Sequence, residues 1–203
     1  MQIVVVDKGN EWEVLNTADT GIEWIKAGAP FSFTDHPGAA AFLLLDENPE
    51  YDLTGTTKPV FINSVIKTLQ QLNAPSNVLR INGWSGFLQR PVWEIAGSPD
   101  DNSRLILEKM NKRISPVKDE PGFIAARIIA MIINEAYFAL GDAVSTKADI
   151  DTAMKLGTNY PYGPFEWAEK IGIKNIFLLL QQLTITDTRY LPAPALAATQ
   201  NNS

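Results

Sequence analysis

The chain has 203 residues, 45% hydrophobic, 20% charged and 9% aromatic, with a net charge of −6. That suits one ordinary globular domain or two small ones, and an acidic chain without a Lys/Arg stripe is a poor partner for nucleic acid or an anionic membrane surface. With no cysteine and a single histidine, His36, the chain excludes disulfides, thiolate chemistry, Cys-ligated metals and a His-cluster metal site.

The opening MQIVVVDKGNEWEVL lacks the basic and long apolar regions of a signal peptide. No apolar run reaches the length of a membrane span, so the chain reads as soluble and cytoplasmic. Gln2–Val6 is a β-branched run that predicts a buried strand. Gly21–Ala27 and Ala39–Leu45 predict two more, the latter followed by the loop DENPEYDLTGTTKP. Val60–Leu72 carries Val60, Phe61, Val65, Ile66, Leu69 and Leu72 near helical spacing and predicts a helix. Asn77–Ile81 and Val92–Ala96 predict strands. Ser98–Ile114 predicts a helix opened by Ser98, with Pro99 at its first position and Asp100 and Asp101 in its first turn. A short extended piece follows Pro116–Val117. Strands alternating with helices imply a parallel α/β sheet.

After Asp119 the texture changes. Phe123–Leu140 predicts a long helix stopped by Gly141, apolar almost all round and so buried on more than one side. Thr146 and Asp149 have capping-box spacing before a helix closed by Gly157. Gly163–Pro164 precede a helix FEWAEKI closed by Gly172, Asn175–Leu183 predicts a fourth helix, and the tail PAPALAATQNNS predicts frayed chain. The second part is therefore all-α, with the boundary near Val117–Asp119.

Three phrases carry a family likeness: Asp119–Arg127 (DEPGFIAAR), Asp149–Gly163 (DIDTAMKLGTNYPYG) with Pro164–Gly172 (PFEWAEKIG), and Arg189–Leu196 (RYLPAPAL). In order and spacing they resemble the C-terminal domain of the 3-hydroxyacyl-CoA dehydrogenase family. The resemblance implies a helical bundle that builds a dimer interface, here a homodimer through residues 123–140, and part of an acyl-CoA cleft. It implies oxidation of a 3-hydroxyacyl-CoA to the 3-ketoacyl-CoA with NAD. The expected architecture is α/β plus all-α: a truncated, degenerate Rossmann-like parallel-sheet domain over 1–118, then a helical domain over 119–203.

The chain departs from that family's pattern in four places, three of them in the first domain. A dinucleotide site needs G-x-G-x-x-G after the first strand, so that backbone and helix N-terminus can approach a pyrophosphate. Here Asp7-Lys8-Gly9-Asn10-Glu11-Trp12 keeps only Gly9 as the cofactor-binding candidate. Asp7 and Glu11 put carboxylates beside the expected phosphates, each costing roughly 1–4 kcal/mol at ~4 Å. The stretch from Val6 to Ala39–Leu45 is short for the full set of crossovers. The resemblance places Glu94 of PVWEIAG as the orienting catalytic Glu and Asn82 of RINGWSGF in the slot of its His. Asn cannot take a hydroxyl proton, and loss of a general base removes ~10²–10⁴ in rate. Ala126 stands in the substrate-binding Asn slot of the phrase GFI-x-N-R.

Bland readings stand beside these. Glu94 reads also as structural, and Asn82 as satisfying backbone near Gly83 or stabilising a thioester carbonyl. His36, in the turn TDHPG, reads as an exposed polar residue or a substitute base. Asn159, Tyr160 and Tyr162 read as a rigid helix connection or as substrate-binding walls of the acyl cleft. Trp84, Phe87 and Trp93 read as core or as the lining of an apolar pocket. Asp46, Glu47, Glu50 and Asp52 read as a solvated acidic loop, with a loose Ca²⁺ site as the alternative. The expectation is a 3-hydroxyacyl-CoA dehydrogenase-like protein impaired in NAD binding and hydride transfer, holding no cofactor of its own. The alternative is a non-catalytic acyl-CoA or hydrophobic-ligand binder, or a dimerising partner subunit.

Overall fold

The structure, a computed structural model, describes residues 1–9, 11–16, 20–47 and 51–201, without the side chain of residue 201. The chain forms two compact units, Met1–Phe123 and Ile124–Ser203.

The first unit is a seven-stranded sheet. Its strands are β1 (Gln2–Val6), β2 (Glu23–Ala27), β3 (Ala41–Leu44), β4 (Val60–Asn63), β5 (Val78–Ile81), β6 (Val92–Ala96) and β7 (Arg113–Val117), in the order β2-β1-β3-β4-β5-β6-β7. All neighbours are parallel except β5 and β6. The inner strands β1 and β3 are buried and almost wholly apolar because both faces of the sheet are covered. Alternation sends Ile3, Val5, Leu43, Phe61, Leu79, Ile81, Trp93 and Ile95 to one face. It sends Val4, Val6, Phe42, Leu44, Val60, Ile62 and Val78 to the other.

The covering layers are unusual. Among the described residues only one α-helix, α1 (Asp101–Lys109), lies among these strands, and it gives Ile106 and Leu107 to the first face. Between β1 and β3 the crossovers are 3-10 turns, Glu11–Leu15 and Phe33–Asp35. The second face is closed by Phe33, Leu53 and the partly buried Phe31, Tyr51, Leu69 and Leu72. Among the described residues, the alternation of strands with helices expected from the sequence is thus reduced to turns everywhere but at α1.

Two element predictions are corrected. Val60–Leu72 is not a helix: Val60–Asn63 is β4, with Phe61 on one face and Val60 and Ile62 on the other. Leu69 and Leu72 reach the core from hydrogen-bonded turns, including Leu72 N–H to Thr68 O at 3.0 Å. An apolar run of that density satisfies either period, and pairing with β3 and β5 decided it. The helix expected over Ser98–Ile114 is shorter at both ends. Asp100, not Ser98, is its N-cap, accepting Ser103 N–H at 2.8 Å. Asn111 turns left-handed (φ 55) and ends it, so Ile114 enters β7. Pro116 is tolerated in β7 because that strand is an edge.

Arg80 on β5 is fully buried and explains why the units divide after Phe123 rather than after residue 118. Its guanidinium bonds Asp119 Oδ1 at 2.5 Å and Ser64 O at 2.8 Å, and lies 4.7 Å from the Phe123 ring centroid. The strand therefore holds the connecting segment as part of its own unit.

The second unit is all-α: α2 (Ala125–Gly141), α3 (Lys147–Thr158), α4 (Pro164–Ile171), α5 (Ile173–Thr184) and α6 (Pro194–Asn201). The tail expected to fray is α6, anchored by Leu196, which is fully buried. Asn134 of α2 staples the preceding RYLPAPAL phrase, donating to Leu191 O at 2.9 Å and accepting Ala193 N–H at 2.8 Å. α3 does not stop at Gly157; it runs to Thr158 and ends on left-handed Asn159 (φ 55). α2 is less enclosed than its composition suggests, since Ile128 is 51% exposed.

Candidate functional site

In an open parallel sheet, ligands meet the carboxyl ends of the strands, where loops diverge. Four such ends carry the polar side chains of interest: Asp7 after β1, Asp46 and Glu47 after β3, Asn63 and Ser64 at β4, and Asn82 to Trp84 after β5.

The turn after β1 is sealed from within. Asp7 is 8% exposed and accepts Gly9 N–H at 2.9 Å and Trp12 N–H at 3.1 Å. Asp46 accepts Lys8 N–H at 2.8 Å and the Tyr51 hydroxyl at 3.2 Å. Three of the described amides at the place where a pyrophosphate would seat are thus spent on the protein's own carboxylates. Lys26 Nζ donates to Gly9 O at 2.7 Å, which ties the turn down further. A Cβ on Gly9 would meet only ordinary contacts, Asp7 Oδ1 at 3.5 Å being nearest, so Gly9 does not mark a close approach. Trp12 packs towards Trp24, centroids 6.3 Å apart, in a 3-10 turn rather than the first turn of an α-helix. These residues do not fit a dinucleotide: the anion position already holds an anion. Asn10 of this turn lies outside the described residues.

Asn82 and Glu94 are brought together by register. Arg80 pairs with Ala96 and Ile81 with Ile95, so one step further Asn82 stands opposite Glu94. Asn82 is 7% exposed; its Oδ1 accepts Trp84 N–H at 3.3 Å, while its Nδ2 is buried without a partner. Beside it Asn63 donates to Leu45 O at 2.9 Å and accepts Gly83 N–H at 3.0 Å. Gly83 is required there, because a Cβ would stand 2.6 Å from Asn63 Cγ.

Glu47 does not lie on the solvated acidic face that the sequence predicts: both its carboxyl oxygens are buried without a hydrogen bond of ordinary geometry. Burial pushes its pKa up to about 7, with the Trp84 indole pulling weakly the other way. Asp46 is likewise not solvated, its side chain being 9% exposed. Asp52 does face solvent, held below its usual range by the Thr54 hydroxyl and N–H. Glu50 lies outside the described residues, and among those described no cluster of potential metal ligands forms. Trp84, Phe87 and Trp93 are all buried, and Trp93 belongs to the first core face. His36 precedes the amino end of β3, stacked on Phe31 at 5.9 Å, whereas Asn82 follows the carboxyl end of β5, which runs the same way. No local pattern marks Glu47 or Asn63; their burial comes from strand ends far apart in sequence.

In the helical unit, Ala126 is fully buried in the first turn of α2. Asn159 is the C-cap of α3 and Tyr160 is 38% exposed. Tyr162 packs edge-on to Trp167 at 4.9 Å, with Lys170 over its ring at 4.6 Å. The connection between them is built around Asp151, which is 8% exposed and accepts Phe165 N–H at 2.8 Å and Glu166 N–H at 3.3 Å. Its carboxylate thus caps α4, and a Cβ on Gly163 would collide with it at 2.3 Å. The phrase DIDTAMKLGTNYPYG is therefore a helix–helix joint in its geometry.

Residues 122–199 match the family model for the 3-hydroxyacyl-CoA dehydrogenase C-terminal domain. The chain is 42% identical over 106 residues to 3-hydroxyadipyl-CoA dehydrogenase of Escherichia coli (strain K12), covering 50% of this chain and 22% of that one. It is 38% identical over 96 residues to 3-hydroxybutyryl-CoA dehydrogenase of Bradyrhizobium diazoefficiens, covering 46% and 33%. The matches thus span a third or less of those relatives. The solved (S)-3-hydroxybutyryl-CoA dehydrogenase of Ralstonia eutropha superposes with a TM-score of 0.76 at 18% identity, over 99% of this chain and 93% of that one. At that identity the superposition speaks for the fold, a Rossmann-like sheet domain followed by a helical domain. The helical unit is thus similar in sequence to the C-terminal domain of 3-hydroxyacyl-CoA dehydrogenases, and both units share the fold of a solved member of that family.

Proposed function

We propose that this chain is a 3-hydroxyacyl-CoA dehydrogenase-like protein of fatty-acyl-CoA metabolism, impaired in NAD binding and hydride transfer, that acts in the cytoplasm as an acyl-CoA binder. The observation that carries this reading is the Asp7 carboxylate bonded to Gly9 and Trp12 N–H. It supports loss of the pyrophosphate seat, and Asn82 opposite Glu94 supports loss of the general base. A second role, as a homodimer or a dimerising partner subunit, is favoured by the exposed Ile128 and Phe138 on α2. Nucleic acid is disfavoured by the net charge of −6, and among the described residues no helix is long and apolar enough to cross a membrane.

The test is a thermal shift run separately with NADH and with acetoacetyl-CoA. Ligand at about a thousand times Kd stabilises by ~4 kcal/mol, a clear shift. The expected result is a shift with acetoacetyl-CoA alone. A shift with NADH, accompanied by turnover, overturns the reading.

A further inference from the structure

Phe31, Phe33 and Tyr51 wall a cavity of about 120 Å³, and among the described residues Ser32, Asp52 and Gly55 complete its lining. The three rings belong to the layer that covers the second face of the sheet. They stand nearly at right angles. Phe31 meets Phe33 with 5.0 Å between centroids at 82°, and Tyr51 with 5.7 Å at 81°. Phe33 rests edge-on against Phe42 of β3 at 4.7 Å, and Phe31 is stacked on His36, so both walls are held by further rings. Gly55 keeps the space clear, since a Cβ there would stand 3.1 Å from Phe33 Cδ2.

The charge around this cavity has one sign. Asp52 is the one charged side chain among the described lining residues, and no Lys or Arg joins it. The Thr54 hydroxyl and N–H both donate to Asp52 Oδ1, at 2.6 and 3.0 Å, which holds its pKa below the usual carboxylate range and fixes its direction. Both bonds fall on Oδ1, which leaves Oδ2 to face a ligand. A second carboxylate stands close by, because the Tyr51 hydroxyl donates to Asp46 Oδ2 at 3.2 Å. Ring faces are themselves negative, so rings and carboxylates together attract a cation and repel an anion. The kind of cation follows from the scarcity of acceptors. The Ser32 hydroxyl is bonded to that of Thr34 at 2.8 Å, so a primary ammonium with three donors would lose its hydration without replacement. A quaternary ammonium has no donor to satisfy and presents methyl groups to the rings. The volume, a little below the ~150 Å³ that holds benzene, admits one such head group.

We propose that Phe31, Phe33, Tyr51 and Asp52 form a binding site for the quaternary ammonium head group of a small, net cationic molecule of the choline type. The rings contact its methyl groups and Asp52 balances its charge. Asp52 and Asp46 disfavour a ligand that carries an anion beside its ammonium, so phosphocholine and glycine betaine are the weaker ligands. The site uses residues other than those of the acyl-CoA reading and does not depend on it.

The test is a titration of the full-length, ¹⁵N-labelled protein with choline chloride, against sodium chloride at equal ionic strength, following the backbone N–H signals of Tyr51, Thr54 and Gly55. These are expected to move saturably with choline and not with sodium. Dimethylbutanol, in which a tert-butyl group replaces the trimethylammonium, should bind at least about tenfold more weakly. Asp52→Asn keeps the size of the side chain and an acceptor for Thr54, and should weaken choline binding at least about fivefold. Phe31→Leu, which keeps an apolar wall without a ring face, should weaken it as well. No saturable movement with choline overturns the site. Equal binding of dimethylbutanol reduces it to an apolar hollow and overturns the cation assignment. Unchanged affinity in Asp52→Asn overturns the part given to Asp52, and tighter binding of phosphocholine than of choline overturns the net cationic ligand.

Discussion

The Asp7 carboxylate accepts the Gly9 backbone N–H at 2.9 Å, so the amide that a phosphate would use is bonded to the residue that follows β1. The same carboxylate takes Trp12 N–H at 3.1 Å, which closes the turn. Asp7→Ala removes charge-assisted hydrogen bonds in a buried place and should cost about 1.5–3 kcal/mol in a urea denaturation series. It should not create NADH binding, because Asp46 still holds Lys8 N–H and Trp12 still packs towards Trp24. NADH binding by Asp7→Ala alone would mean that this carboxylate is the sole barrier.

Asp151 and Gly163 form a second such pair, in the helical unit. The carboxylate that caps α4 occupies the space a Gly163 side chain would need. Gly163→Ala should destabilise by roughly 1–3 kcal/mol, the usual cost of overpacking. In Asp151→Ala the capping bonds are lost but the space opens, so the double variant should lose less than the sum of the two. Additive losses in a double-mutant cycle would show that the joint is not built on this contact.

Glu47 predicts a dependence of stability on pH. Its pKa is about 7 in the folded chain against an ordinary 4.5, so between those values the folded state holds a proton that the unfolded state has lost. Stability therefore falls as pH rises from 4.5 through about 7 and then levels off, by an amount on the order of 3 kcal/mol. Glu47→Gln should remove this component, read as the difference between wild-type and variant denaturation curves across that window. Parallel curves would place the Glu47 carboxyl in solvent.

The α2 surface predicts association. Ile128 is 51% exposed and Phe138 36% on the helix whose resemblance implies a dimer interface. Ile128→Asp should weaken self-association at least about tenfold in sedimentation equilibrium, as loss of a central apolar contact does. A wild-type chain that is monomeric at micromolar concentration would remove this expectation.

What the sequence disclosed follows from where each signal resides. β1, β5 and β6 were readable because short apolar runs flanked by turn residues have few alternatives. β4 was misread because Val60, Phe61 and Ile62 sit beside Leu69 and Leu72, and only pairing with β3 and β5 separates a strand from a helix there. The Thr146 cap of α3 was readable because it is local, whereas the left-handed stop at Asn159 lay beyond the more obvious Gly157. In the site, Asp7 was visible as a misplaced charge but not as the internal bond acceptor it is. Glu47 was invisible, since its burial depends on Asn63 and Trp84 arriving from other strands.

The central claim, that the turn after β1 no longer seats a dinucleotide, is met most directly by calorimetric titration of the full-length chain with NADH. Because Lys8, Gly9 and Trp12 N–H are held by Asp46 and Asp7, no saturable heat is expected up to millimolar cofactor. One-site binding with micromolar Kd would contradict it.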